Sequence, residues 1–419
     1  MGRNPGRHIS NLEGIIQKFN HACQNAAGNG TTSFGPVDDK WNTGHFLDTA
    51  EFSAAFGIAY DWLYDAWTEE QKTQMLFTLN LYGLGPGISA YQGNSTIGWW
   101  NDDIYGNWNC VCNGGLTLAA LAILGDDTTG NAEALLGYTI NNAKENCAQA
   151  VTRDGTWNET ANYWYFGTTG HAEMTSSLIT AAGSDFGLLS TNPYFNLTGL
   201  YHVYAFGPTS LFNYGDHGPN KFSTTANGMM FYASQFNMPT LALFQRDQDD
   251  AAEPWSMFWY DATISGAFWN SLSLDRFFNY SGDQWGSMRS SWTDMNALFV
   301  AIKGGTLQGH QTHGDLDCGD FVLDALGTRW AGELGSGDYN AEGYFDSEAQ
   351  DSARWLYYRK RTEGQNTILV NQQNQDVAAQ PTMNYDTSGT VQGSSTVFKA
   401  PSNSTAYVVF DLTSAYFNV

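Results

Sequence analysis

The sequence predicts a two-part α+β fold, helical over residues 1–270 and antiparallel sheet over 271–419. Three observations carry that expectation. At 419 residues the chain exceeds one ordinary core, so two domains are expected. An apolar share of 42%, with 15% aromatic residues, supplies ample core material. The apolar period is 3–4 residues over the first 260 or so positions and shortens to two past about residue 280.

In chain order, "DTAEFSAAFGIAYDWLYDAW" sets Phe52, Ala55, Phe56, Ala59, Trp62 and Leu63 on one helical face. "TEEQ" from Thr68 is a capping-box start for the next helix, which carries Met75, Leu76, Leu79 and Tyr82. "CVCNGGLTLAALAIL" is almost wholly apolar and predicts a buried helix, and "NAEALLGYTINNAKENCAQAV" predicts another, ended by Asp154-Gly155. "GHAEMTSSLITAAG" and "NGMMFYASQFN" continue the series. Short connections make consecutive helices antiparallel neighbours. Such hairpins close into an α/α toroid, although a bundle or a solenoid has the same local signature. After a boundary near "NSLSLDRFFNYSGDQWGS", the runs "MNALFVAIKGG", "GDFVLDALG", "TRWAGELG", "RTEGQNTILVN", "SSTVFKA" and "TAYVVFDLT" read as short strands of a sandwich.

A formal charge of −24 with only 18 Lys and Arg argues against a phosphate-binding surface, so no nucleic-acid partner is expected. No run approaches the roughly 18 apolar residues of a membrane span. The opening "MGRNPGRHIS" shows no apolar signal region, and the pattern at both ends reads as a truncated chain. Sequons at Asn29, Asn94, Asn158, Asn196, Asn279 and Asn403, with low Lys and many Trp and Tyr, point to a secreted, N-glycosylated eukaryotic protein. Cys23, Cys110, Cys112, Cys147 and Cys318 allow one bridge or two without assigning connectivity, and the C-x-C pair is a poor zinc signal.

Polar groups concentrate in three places. "NDDIYGNWNCVCNGG" puts Asn107 and Asn109 at the entrance of the buried helix, as capping residues or as ligand-facing amides. "RDGTWNETANYWYFGTTGH" holds Trp157, Glu159, Tyr163, Trp164, Tyr165 and His171 in an expected loop, where Trp157 and Trp164 either stack on sugars or rim a core. "GHQTHGDLDCGDF" puts His310, His313, Asp315, Asp317 and Asp320 at the mouth of a β-hairpin, as a solvated acidic loop or as a convergent site. Its spacing matches no strong zinc signature.

At these same residues the chain resembles the heparinase II/III-like and alginate lyase superfamily of polysaccharide lyases. "KGGTLQGHQTHGDLDCGDFVLDALGTRWAGELGSGDYN" and "RWLYYRKRTEGQNTILVN" resemble its β-domain. "NWNCVCNGG", "DGTWNETANYWYFG" and "FGPTSLFNYGD" resemble its toroid motifs, in the same order, so the likeness runs from about Trp41 to Asn371. The resemblance implies an α/α toroid with a β-sandwich, an anionic uronate polysaccharide as partner, and cleavage by β-elimination without an organic cofactor. It places the family tyrosine on Tyr163, the family histidine on His313 and the carboxylate-binding amide on Asn109. Arg289 is a candidate for pairing with a uronate, His171 for reaching the cleft beside Tyr163, and Asn107 for binding substrate.

Where zinc-holding members show imidazoles, this chain has Asp315 and Gln365, and Glu333 stands at the acidic ligand position. Oxygen ligands suit Ca²⁺, Mn²⁺ or Mg²⁺ better than zinc. Two alternatives follow: one structural divalent cation, or a pairing of Asp315 with an arginine such as Arg361. Asp317 and Asp320 are expected to cap the turn, and His310 to stand behind the site or in solvent. Other functions with the same architecture are a glycoside hydrolase using Asp154 and Glu159 as paired carboxylic acids, and a non-catalytic carbohydrate-binding protein.

Overall fold

The computed structural model describes residues 41–217, 226–248, 251–393 and 406–416. Cys23, the sequons at Asn29 and Asn403, and the run "SSTVFKA" lie outside them. The chain divides into two compact units. Unit 1 takes the residues up to Asp103, Trp108–Cys147 and Glu173–Leu188; unit 2 takes Ile104–Asn107, Ala148–Ala172 and the residues from Leu189 onward.

Unit 1 is helical. Helices α1 (Phe46–Trp62), α2 (Glu69–Thr78), α3 (Gly85–Tyr91), α4 (Asn107–Ile123, within this unit from Trp108) and α5 (Asn131–Glu145) surround a core that includes Phe46, Phe56, Trp100, Leu116 and Leu135. The capping box forms as the sequence predicts: the Thr68 hydroxyl accepts from Gln71 N–H, and the Gln71 side chain accepts from Thr68 N–H. Helices α1 and α4 meet backbone to backbone. A Cβ on Gly115 would stand 2.2 Å from the Ala50 carbonyl oxygen, so only glycine fits there. Cys110, in the first turn of α4, is bridged to Cys147 just past α5. Closing a loop of 37 residues in the unfolded chain is worth about 4 kcal/mol. Cys112 and Cys318 are buried thiols.

Unit 2 carries helix followed by sheet. Helix α6 (Ala161–Ala182) lies in this unit as far as Ala172, and α7 (Thr198–Ala205), α8 (Gly228–Gln235) and α9 (Pro239–Arg246) follow. Strands β1 (Asp275–Phe278), β2 (Trp285–Arg289), β3 (Phe299–Lys303), β4 (Phe321–Ala325) and β5 (Thr328–Ala331) form one antiparallel sheet in chain order. Strands β6 (Thr382–Asp386) and β7 (Tyr407–Asp411) form a second. The sheets meet where Phe277 stacks on Tyr385, ring centroids 4.9 Å apart. The β4–β5 turn uses Leu326 and Gly327, both with positive φ, which matches the twist of a two-residue hairpin.

Two stretches differ from the sequence expectation. "ANYWYFGTTGH" is not a loop but the first half of α6. Its buried positions Trp164, Thr168, His171, Ala172 and Thr175 recur at helical spacing, and the Thr160 hydroxyl accepts from Tyr163 N–H at the helix start. "RTEGQNTILVN" forms no named strand. Its polar groups reach out individually instead: Asn366 N–H donates to Asp320, the Asn366 side chain to Phe321 O and Gly332 O, and the Thr367 hydroxyl to Cys318 O.

Candidate functional site

Strand β3 ends at Lys303 and β4 starts at Phe321; the acidic run lies in the connection between them. Its neck is closed by Lys303 N–H to Asp320 O (2.9 Å) and Gly319 N–H to Lys303 O (2.8 Å). Further out, the Glu348 carboxylate accepts from three backbone N–H groups, those of Gly309 (2.7 Å), His310 (3.1 Å) and Thr312 (2.9 Å). Gln311 and Thr312 both hold φ near +60°, a conformation costly for side-chain-bearing residues and fixed here by that carboxylate. The turn delivers His313 inward. Asp216 N–H donates to His313 O at 2.7 Å, an approach that requires glycine at 215: a Cβ there would meet that oxygen at 2.7 Å, and φ is +77°.

The His313 imidazole is flanked by carboxylates. Nδ1 lies 3.0 Å from Asp216 and Nε2 lies 3.5 Å from Glu159. Lys360 Nζ (2.9 Å), Arg354 Nη2 (3.2 Å) and the Tyr344 hydroxyl also donate to Asp216. Burial alone would raise the Asp216 pKa, but Lys360, the His313 hydrogen bond and Arg354 outweigh it and hold the carboxyl well below its usual range. An ionised Asp216 only accepts, so the proton of a neutral His313 stands on Nδ1 and Nε2 keeps its lone pair. Burial pushes the His313 pKa below its ordinary value, against the pull of Asp216. Glu159 is clamped by Asn107, whose N–H and side-chain amide both donate at 2.7 Å.

Against His313 lies Tyr163, its ring stacked at 3.8 Å between centroids. The Tyr163 hydroxyl is 2.6 Å from that of Tyr339. Burial, with Asp216 and Glu159 nearby, holds the Tyr163 phenol well above its ordinary pKa, the Tyr339 hydrogen bond pulling the other way. At neutral pH this phenol is protonated.

The remaining acids resolve into pairs. Lys360 Nζ donates to Asp315 at 2.6 Å as well as to Asp216, and Lys303 Nζ donates to Asp317. Asp317 is therefore one half of a buried ion pair rather than a turn cap. Asp320 accepts from Asn366 N–H and is hydrogen-bonded to Glu333. Burial and then Asp320 hold Glu333 well above the usual carboxyl range. The arginine alternative gives way to a neighbour: Asp315 pairs with Lys360, and Arg361 with Glu363. His310 is buried, both ring nitrogens facing the main-chain carbonyls of Asn158 and Thr306.

Several expected ligand-facing residues serve the interior. Asn109 belongs to unit 1, where its amide donates to Trp100 O, Asn101 O and Asn142 and accepts from Asn113 and Cys147 N–H. All its hydrogen-bonding capacity is used there. Trp157 and Trp164 are enclosed, Trp157 donating to Glu159 and Trp164 to Thr198, so neither offers a face to a sugar. His171 is enclosed too, with Nδ1 against the Tyr232 hydroxyl. Arg289 donates to Tyr204 O and stacks on Trp292, lining a cavity of about 380 Å³ with Phe206, Phe244 and Phe268; its contacts are there rather than with His313. Asp154 accepts from Thr152, Thr156, Asn279 N–H and Tyr280 N–H.

The sequence reading missed Asp216, Tyr339, Glu348, Arg354 and Lys360. Asp216 closes the quoted motif "FGPTSLFNYGD" and Tyr339 sits in "SGDYN", so both lay inside recognised segments without a role. Nothing local marks Glu348.

No family model and no curated protein matches the sequence. Solved structures do. A heparinase III crystal structure aligns over 89% of this chain and 54% of its own, with a TM-score of 0.65 and 14% identity. The fold is that of heparinase III. A heparan sulfate lyase mutant from Pedobacter heparinus aligns over 90% and 52%, with TM-score 0.57 and 15% identity. Another heparinase III, with methylated lysines, gives 83% and 49%, TM-score 0.55 and 14% identity. The chain thus spans about half the length of these structures. The heparinase III fold confirms the expected fold class, a helical toroid followed by antiparallel sheet.

Proposed function

We propose that this chain is a polysaccharide lyase that cleaves a uronate polymer by β-elimination. One observation carries the reading: a protonated phenol, Tyr163, lies ring to ring with an imidazole whose Nδ1 is held by an ionised Asp216. In the reaction, His313 Nε2 takes the C5 proton of the sugar acid. The C4–O bond breaks as the C4=C5 double bond forms, and Tyr163 gives its proton to the departing oxygen. Asp216 and Glu159 then flank the imidazolium that has formed. For the next turnover the imidazolium gives its proton to solvent and Tyr163 regains one, relayed from solvent through the Tyr339 hydroxyl hydrogen-bonded to it.

One of the similar structures is a heparan sulfate lyase, but the scarcity of basic residues here favours a less densely charged polymer such as alginate or a glucuronan. The test is the ultraviolet absorbance of unsaturated product over a panel of uronate polymers. Activity confined to sulfated glycans would overturn the substrate preference; none on any uronate polymer would overturn the lyase reading.

We also infer secretion through a glycosylating pathway. Among the described sequons Asn94, Asn196 and Asn279 are exposed whereas Asn158 is buried, so glycopeptide mass spectrometry of protein from a eukaryotic secretory host should find sugar on the first three and none on Asn158. Glycan on Asn158, or none anywhere, would count against it.

A further inference from the structure

The resemblance to zinc-holding lyases implies a metal held by Asp315, Glu333 and Gln365, and the donor set does not fit one. A divalent cation needs lone pairs converging on a point. Here Asp315 Oδ1 accepts from an ammonium at 2.6 Å. Gln365 presents N–H rather than oxygen, donating to Asp315 Oδ2 at 3.4 Å and to Arg359 O at 2.8 Å. Glu333 meets the carboxylate of Asp320, with Asp315 and Asp317 also near. Among the described residues no group of three or more His, Cys, Asp or Glu is arranged to hold a metal.

We propose that the Lys360 ammonium does the work of that cation, so that this protein folds and holds its site without a metal. Lys360 Nζ is fully enclosed and joins Asp315 to Asp216, at 2.6 and 2.9 Å. One carboxylate belongs to the turn that carries His313; the other is the hydrogen-bond partner of His313 itself. A single positive charge thereby ties the hairpin mouth to the imidazole, which is what a bracing ion would do. Arg354 completes the balance, donating to Asp216 Oδ2 and to Gly314 O, so two cations face two carboxylates. A divalent ion on Asp315 would stand beside that ammonium and be repelled by it. Lys360 is a positioning residue, acting on chemistry only through Asp216. The inference stands whichever polymer is cleaved.

The test uses the full chain and needs no substrate. Metal analysis of purified protein should find well under one divalent ion per chain, and the melting temperature should not change with EDTA or with added Ca²⁺, Mn²⁺, Mg²⁺ or Zn²⁺. A stoichiometric ion, or a melt lowered by several degrees in EDTA, overturns the proposal. Lys360→Met should melt several degrees lower, and the Lys360→Met/Asp315→Asn double variant should recover part of that loss, because it also removes the stranded carboxylate. If Lys360→Met melts like the wild type, Lys360 braces nothing. If the single variant fails to fold, a double variant that is no more soluble and melts no higher overturns the pairing.

Discussion

Tyr163 and His313 share a stacked contact yet are driven in opposite directions by the same burial. The phenol is held protonated and the imidazole neutral, because each is disfavoured in its charged form. Under the proposed reaction, the acid and the base are thus set before substrate arrives. Tyr163→Phe removes the donated proton and keeps the stack on His313. We expect kcat to fall about 10²–10⁴-fold with little change in melting temperature, measured by product absorbance beside a thermal melt; a variant retaining full turnover would dismiss the phenol as the acid. The pH profile gives a second test. His313 must be neutral to accept a proton, and its pKa is lowered from the ordinary value. The acid limb of kcat/KM should therefore fall below the ordinary imidazole value of about 6.5, leaving activity intact into mildly acidic buffer. A limb centred above neutrality would contradict the assignment.

At the scale of elements, the β3–β4 connection shows what the sequence could and could not disclose. Two histidines and three aspartates in a short Gly-rich run are visible without coordinates, and so are the flanking strands. Their partners are not, because Glu348, Lys360 and Asp216 arrive from distant positions and bear no local pattern. Lys360 was hidden beside Arg361, which looked the better partner for a carboxylate but faces Glu363. The start of α6 was hidden differently. Aromatic density in "NYWYFG" suggested a sugar-binding loop, whereas Thr160 and the buried spacing of Trp164, Thr168 and Ala172 describe a capped helix. Two substitutions test the scaffold. Glu348→Ala deletes three charge-assisted hydrogen bonds on a backbone already held at positive φ. It should cost about 2 kcal/mol and speed amide exchange at residues 309–313. Unchanged exchange there would mean the loop holds its shape unaided. Asp216→Asn leaves Lys360 and Arg354 short of a buried counter-charge and should cost about 3–5 kcal/mol in denaturant unfolding. A loss below 1 kcal/mol would show the cluster to be solvated.

Across the whole molecule the charge distribution bears on the polymer it could meet. Of the few cations, Lys303, Lys360 and Arg354 are enclosed and paired with aspartates, and Arg329 is bound to Asp324. Those charges brace the fold and are unavailable to a ligand. What faces solvent is the residue of a net −24, so a polyanion approaches against repulsion. Screening should ease that approach. At 0.15 M ionic strength the Debye length is about 8 Å, short enough to mask distant surface carboxylates while leaving the buried cluster beneath His313 untouched. On an unsulfated uronate polymer, KM should therefore fall as salt is raised from about 0.01 to 0.15 M, with kcat nearly constant. A lyase that gripped its substrate through surface cations would show the reverse, because added salt competes for such contacts. Initial-rate kinetics over that range separates the two, and a KM that climbs with salt would mean that exposed basic residues recruit the polymer despite the overall charge.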